Sequence, residues 1–320
     1  MNCIESIVQQ TISGSYEIIV VDNDSRDDAK EKILAKYKEV EWVEMGYNAG
    51  FARANNAGLQ IAMGHFVLIL NADTIILNGA INKSIELLKN YPGAVGGGVQ
   101  LLNTDGTRQI SGAHFIKGGL NTLLPLPYLG NLIRYLGYKF NSTVPSVQDV
   151  QQDVEVDWVI GAYMLIKKEA LAKAGLFDED FFMYAEEIEW CARLRKQGKL
   201  VLFAAPAITH IGGGTSGEYY STEETENGKN LWNKKGRQII VSNMLRIRKQ
   251  FGIGWYLIII SFYIFEVPLF AICLLMEKII HSGTAQYSWK NVRDYTGNMA
   301  ILLKYFFKII QNKKYFYKVA

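Results

Sequence analysis

The segment His65-Phe66-Val67-Leu68-Ile69-Leu70-Asn71-Ala72-Asp73 sets five apolar residues in an unbroken run, then Asn71 and Asp73. A run so short and so apolar predicts a strand buried on both faces, of the kind found inside a parallel sheet. A carboxylate just past the carboxyl end of such a strand stands where open α/β sheets bind ligands. Glu17-Ile-Ile-Val-Val-Asp22 repeats the pattern, again ending on a carboxylate beside an asparagine, Asn23. Taken singly, each aspartate is explained as a cap on the turn that follows; two together, both beside Asn, leave capping and a ligand site as roughly even readings.

Around these strands the periodicity alternates. Asn2–Thr11, Asp27–Tyr37, Asn48–Ala62, Gly79–Asn90, Lys167–Ala174 and Glu186–Gln197 have helical spacing, with Ser25 as the expected N-cap of the second. Glu41–Glu44, Ala94–Leu102, Asp157–Ile166 and Leu200–Ala204 read as strands. Alternation of this kind predicts an α/β fold with a mainly parallel sheet flanked by helices. Residues 112–150 carry scattered Gly and Pro and read as irregular, a lid or substrate-binding segment. No G-x-G-x-x-G joins a first strand to its helix, and Gly96-Gly97-Gly98 falls inside a strand, so a dinucleotide-binding oxidoreductase is discounted.

Composition bounds the rest. The 320 residues are 49% hydrophobic and 20% charged, which supports a sizeable core and excludes wholesale disorder. A net charge of +3 neither demands nor excludes an anionic partner; no nucleic-acid partner is expected. Cys3, Cys191 and Cys273 are scattered without metal-site spacing, which suits a reducing compartment. Met1–Gln10 has neither the basic nor the apolar region of a secretory leader. Gly254–Met276 is apolar apart from Glu266 and Pro268, and is long enough for a hydrocarbon core of roughly 30 Å. Arg246, Arg248 and Lys249 before it favour a cytoplasmic amino-terminal end, although an in-leaflet hairpin fits as well. Ile301–Tyr317 mixes Lys with Phe, Tyr and Ile, as interfacial helices do. Three regions are therefore expected: 1–217 as an α/β domain, 218–250 as a polar and basic helical linker, and 251–320 as membrane-associated helices.

Several side chains could carry chemistry. A lone histidine such as His210 is more often structural than a ligand, but it stands before Gly212-Gly213-Gly214, and with Asp73 it would make a partial shell for Mg²⁺ or Mn²⁺ that phosphate oxygens complete. Glu186 and Glu187 open a helix, where the dipole favours acids, and either could serve as a general base; Glu189 is one turn further in. Phe177, Phe181, Phe182 and Tyr184 are either core or a sugar-stacking platform. Trp158 is either packing or the wall of a ligand pocket.

Seven motifs in order, VVDNDS, NAGFARANN, LILNADT, TDGTRQIS, WVIGAYMLIKKEAL, GLFDEDFFMYAEEIEWCARLRKQG and AITHIGGGTSG, resemble those of the family 2 glycosyltransferases. The likeness covers residues 3–217 and is greatest to the bacterial rhamnosyltransferase group. It implies a GT-A fold, a nucleotide-sugar donor, a divalent cation and inversion at the anomeric carbon. By position it implies that Asp22 and Asn23 meet the nucleotide, and that Asn48, Gly50, Phe51 and Asn55 shape the donor pocket. Asn71, Ala72 and Asp73 fall at the family's DXD-type position, with Asp73 and His210 as metal ligands. Trp158, Gly161 and Ala162 would line the sugar and acceptor site. Glu187, beside Glu186, stands where the family has an Asp as its catalytic base. The resemblance further implies dTDP-rhamnose as donor, a lipid-linked oligosaccharide as acceptor, and work at the cytoplasmic face of the bacterial inner membrane. The family's opening strand is not matched here, so a truncated or misassigned start is expected, with a gap in the sheet between the strands ending at Asp22 and near Asp73. An inactive nucleotide- or carbohydrate-binding derivative is the alternative.

Overall fold

The computed structural model describes residues 1–11, 14–140, 145–212, 230–280 and 284–319. Residues 213–217 of the last motif and 218–229 of the expected linker lie outside them. The chain divides into two units. The first comprises Met1–Phe115, Pro145–Phe182 and Glu186–Gly214, and the second Ile116–Val144, Met183–Ala185 and Thr215–Ala320. The sequence reading placed 112–150 wholly with the α/β domain; most of that stretch belongs to the second unit.

The first unit is mixed α/β. Its elements are α1 (Asn2–Gln10), β1 (Ile19–Asp22), α2 (Ala29–Lys36), β2 (Glu41–Glu44), α3 (Gly50–Ile61), β3 (Phe66–Leu70), β4 (Thr74–Ile76), α4 (Ala80–Asn90) and β5 (Ala94–Leu102). There follow β6 (Gly112–Ala113), β7 (Ser146–Val147), β8 (Val154–Val156), β9 (Trp158–Val159), β10 (Tyr163–Lys167), α6 (Lys168–Ala174), α7 (Glu186–Leu194) and β11 (Lys199–His210).

The main sheet runs β3-β10-β5-β11-β4, with β8 on β11. Only β5 and β11 pair in parallel within it; β10 is antiparallel to both β3 and β5, and β4 and β8 are antiparallel to β11. The expected mainly parallel sheet is thus a mixed one. Alternation of strand and helix reports that crossovers exist, but β10 reverses direction after a tight turn that the pattern does not register. The core fills both faces: Ile69, Met164, Ile166, Trp190 and Leu202 belong to one cluster, Ile76, Val99, Leu165, Val201 and Phe203 to the other.

Gly97 has a steric reason for lacking a side chain. A Cβ there would lie 2.1 Å from the Val201 carbonyl oxygen, so the glycines of β5 serve close strand approach. β1 and β2 form a separate parallel pair. Among the described residues β1 pairs with β2 alone and β3 with β10 alone, which leaves one open edge on each. These are the edges between which the sequence reading expected a further strand.

Four local expectations change. Ser25 is not an N-cap: α2 starts at Ala29, and Asp22 Oδ1 accepts the Ser25 N–H at 2.9 Å. Asp157–Ile166 is two strands, β9 and β10, joined by a turn that contains Gly161 and Ala162. The last strand continues past Ala204 to His210, because a register shift between Phe203 and Ala207 accommodates Pro206. Phe177, Phe181 and Phe182 are buried, the Phe177 ring 4.2 Å from that of Trp190, so these three are core.

In the second unit, Lys117–Leu123 is a 3₁₀ segment and α5 spans Leu129–Lys139. The reading of this region as irregular missed α5, whose Leu129, Leu132, Ile133 and Leu136 have helical spacing. Among the described residues the remaining helices are α8 (Lys234–Phe251), α9 (Ile253–Ile280) and α10 (Trp289–Ile310). The helical tail begins twelve residues before Ile301, at a Ser288–Asn291 capping box.

Candidate functional site

Asp73 and His210 meet because β4 and β11 are antiparallel neighbours. Thr74 is opposite His210 in the register, and the Ile211 N–H donates to the Asp73 carbonyl at 2.9 Å. His210 Nε2 lies 3.5 Å from Asp73 Oδ1, and both side chains are partly exposed. The turn that carries Asp73 is braced from below. Thr74 Oγ1 donates to the Asn71 carbonyl at 2.7 Å, and Cys3 Sγ lies 3.4 Å from the same hydroxyl.

The other face of the imidazole is held by a residue that sequence reasoning missed. Gln109 Oε1 lies 3.0 Å from His210 Nδ1. Gln109 Nε2 donates to the His210 carbonyl and to Asn103 Oδ1, both at 2.7 Å. Gln109 thus holds the Nδ1 edge of the imidazole, and Nε2 is the edge turned toward Asp73. The signal was present in TDGTRQIS, but only the fold of the 103–109 turn against β11 gives Gln109 its role.

A second group gathers at the amino end of α3. Asn23 Nδ2 donates to Asn48 Oδ1 at 3.2 Å, and Asn23 Oδ1 accepts the Ala49 N–H at 2.8 Å. Asn48 Oδ1 also accepts the Gly50 N–H at 3.1 Å. Gly50 has φ +77°, and a Cβ there would lie 2.1 Å from the Phe182 carbonyl, so no other residue fits without displacement of that loop. Asn55 donates to the Phe51 carbonyl at 2.9 Å within the helix. Its neighbour Asn56 is buried and exchanges hydrogen bonds with the Phe177 backbone.

The β9–β10 turn connects the two groups. The Asn71 N–H donates to the Ala162 carbonyl at 3.1 Å. A methyl on Gly161 would stand 3.2 Å from the Phe51 ring and 3.9 Å from the Glu187 Cβ, so Phe51, Gly161 and Glu187 converge. Trp158 is half-buried against the core, one register step from Gly112. Ala72 is exposed beside Asp73.

The three glutamates of α7 differ. Glu189 is bound by Arg193 through Nε and Nη2, each at 2.8 Å, while Arg193 Nη1 donates to the Ala174 carbonyl; this pair is structural. Glu186 is buried, and Glu187 is half-buried at the turn that carries Gly161. Burial pushes the neighbouring Cys191 thiol up to about 12, so it stays protonated and takes no part.

A carboxylate oxygen and an imidazole nitrogen aimed at each other suit Mg²⁺ or Mn²⁺, and two protein ligands leave positions for phosphate oxygens. Among the described residues no cluster of three such side chains exists; Asp73–His210 and His114–Asp157 are His–Asp pairs, at 3.5 Å and 3.7 Å.

A polar pair at one end of a mixed sheet, with a carboxylate near the same β-turn, fits enzymes that bind a diphosphate. Residues 2–171 match glycosyl transferase family 2, and the chain belongs to that family, with its GT-A fold. It is similar to the low-salt glycan biosynthesis hexosyltransferase Agl10 of Haloferax volcanii, at 28% identity over 58% of this chain and 55% of that protein. It is also similar to the N-acetylglucosaminyl-diphospho-decaprenol L-rhamnosyltransferase of Mycobacterium tuberculosis, at 24% identity over 59% of this chain and 64% of that one. Rhamnosyltransferase WbbL of Escherichia coli is 25% identical over 57% of this chain and 67% of its own length. The chain spans between about half and two thirds of these relatives.

Proposed function

We propose that this chain is an inverting glycosyltransferase that moves a sugar from a nucleoside-diphosphate donor to a hydroxyl of a saccharide. The observation that carries the reading is the Asp73–His210 pair, 3.5 Å apart and oriented by Gln109. Mg²⁺ or Mn²⁺ held there would offset charge that develops on the leaving diphosphate. Asp22, Asn23 and Asn48 bind the nucleotide portion, Gly50 and Phe51 shape its pocket, and Trp158, Gly161 and Ala162 line the sugar.

Glu187 supplies the remaining chemistry. As the acceptor oxygen forms its bond to the anomeric carbon, the bond from that carbon to the diphosphate oxygen breaks. The acceptor proton passes to the Glu187 carboxylate. Attack opposite the leaving group inverts the carbon. Glu186 supports the helix start beside it. Glutamate in place of aspartate adds one methylene of reach and keeps the same base.

Rhamnose as the sugar is supported by likeness to the two rhamnosyltransferases, and a lipid-linked acceptor by the diphospho-decaprenol in the name of one; dTDP as the carrier is proposed from the family resemblance. Membrane association is supported by the apolar helix α9; the cytoplasmic face of a bacterial inner membrane is proposed from the family resemblance. The test is transfer from a panel of nucleotide-sugars to a soluble acceptor analogue, with product stereochemistry read by NMR. The expected result is an inverted product whose formation is lost in Glu187→Gln. Turnover that survives that substitution, or a retained configuration, contradicts the assignment.

A further inference from the structure

The largest feature unused by this chemistry is α9, whose 28 residues extend about 42 Å. By length and apolarity it passes for a bilayer span. Its surroundings in the second unit say otherwise.

Only one side of α9 is exposed, and that side carries no charge. Ile253, Leu257, Phe262, Phe265, Ile272 and Met276 are among its exposed residues. Tyr256, Tyr263, Glu266 and Phe270 face the other way and are fully buried. Glu266, near the middle of the helix, accepts the Tyr128 N–H at 2.7 Å and the Leu129 N–H at 3.2 Å. These are donors at the start of α5, so α5 is tied to the midpoint of α9. Apart from Gly130, α5 has no buried residue; it exposes Leu132 and Leu136 together with Arg134 and Lys139.

α10 runs antiparallel along α9. The Phe306 ring is 5.8 Å from that of Tyr256, and Tyr295 donates to the Tyr263 carbonyl at 2.9 Å. Alongside that contact α10 exposes Lys304 and Lys308, and near its start Arg293. Were α9 to cross a bilayer, Arg293, level with its Tyr263–Phe270 stretch, and Arg134 of the tied α5 would stand exposed at hydrocarbon depth, where charge is costly. The same residues laid flat make sense. On α10, Trp289, Leu303 and Phe307 form an apolar stripe beside a basic one of Arg293, Lys304 and Lys308. By sequence this unit holds eighteen lysines and arginines against seven acids.

We propose that this unit docks on one leaflet of an anionic phospholipid bilayer, with α9 lying in the membrane plane instead of crossing it. The exposed half of α9 and the apolar stripes of α5 and α10 enter the leaflet, and the basic stripe meets the headgroups. The proposal rests on the membrane-associated reading above and commits it to one geometry.

The experiment uses the full chain and sealed vesicles rich in phosphatidylglycerol, with phosphatidylcholine vesicles for comparison. Flotation with the anionic vesicles is expected, weakened by salt. Each basic residue near such a surface contributes roughly fivefold in partition. The combined Arg293→Glu, Lys304→Glu and Lys308→Glu variant is therefore expected to bind at least tenfold more weakly, with its thermal transition unchanged. Equal binding to neutral vesicles, or no loss in that variant, overturns the anionic preference.

Geometry is read separately. Gln250→Cys and Gln286→Cys, made singly in a Cys273→Ala chain, place a thiol just outside each end of α9; Cys3 and Cys191 are buried. An impermeant maleimide added outside the vesicles is expected to label both ends at similar rates. Labelling of one end only until the vesicles are opened overturns the in-plane geometry and leaves membrane association standing. Failure to float with any lipid overturns both, while sugar transfer to a soluble acceptor is tested independently.

Discussion

Asp73 and Glu266 each interrupt an apolar stretch, yet the two regions use the carboxylate in opposite ways. Glu266 is fully buried and spends both oxygens on backbone N–H groups of α5. Asp73 stays partly exposed at a strand end, with an imidazole nitrogen 3.5 Å away. One carboxylate completes the fold's own hydrogen bonds; the other directs its charge to where a ligand can enter. The partner distinguishes them, since neighbouring sequence is apolar in both. Glu187 and Glu189 repeat the contrast within one helix, where Arg193 engages Glu189 and the Gly161 turn adjoins Glu187.

Substitutions should separate the two kinds of carboxylate. Asp73→Ala is expected to lower transfer by about a thousandfold or more, as loss of a metal worth several kcal/mol implies, with little change in thermal stability. Glu187→Gln should cost about 10²–10⁴-fold in kcat with donor affinity retained, as removal of a general base does. Steady-state kinetics beside calorimetric donor binding check both. Gln109→Leu, which frees the imidazole to rotate, is expected to weaken Mn²⁺ affinity about 10–100-fold, as measured by titration calorimetry in the presence of nucleoside diphosphate. Glu266→Leu should behave inversely. Two buried N–H groups lose their acceptor, at about 1–3 kcal/mol each, so the melting temperature falls while turnover per folded molecule holds. The smallest effect concerns Cys191. With its thiol pushed up to about 12, it should resist alkylation at pH 8 until the chain unfolds, as mass spectrometry would show.

The placement of the proposed site residues was more legible than the architecture around them. Asp22 ends β1, Asp73 follows β3 and Glu187 lies in the first turn of α7, because strand ends and helix starts are local features. His210 was visible as a residue, but its place on β11 was hidden by Pro206, which a shift in strand register tolerates. The direction of β10 depends on a turn at Gly161–Ala162 and on pairing with β3 and β5, neither of which leaves a periodic trace. Gln109 acquires its role only when a turn 101 residues away in the chain closes on His210. α5 was obscured by flanking glycines and prolines, and by having so little core to face.

The central claim is that Asp73 and His210 hold a divalent cation against a donor diphosphate. Titration calorimetry of a nucleoside diphosphate into the wild-type chain, with and without Mn²⁺, addresses it most directly, with Asp73→Ala beside it. The account predicts tight binding that needs the metal, and loss of that metal dependence in Asp73→Ala. Nucleotide binding equally strong without metal, or metal dependence unchanged in the variant, would contradict it.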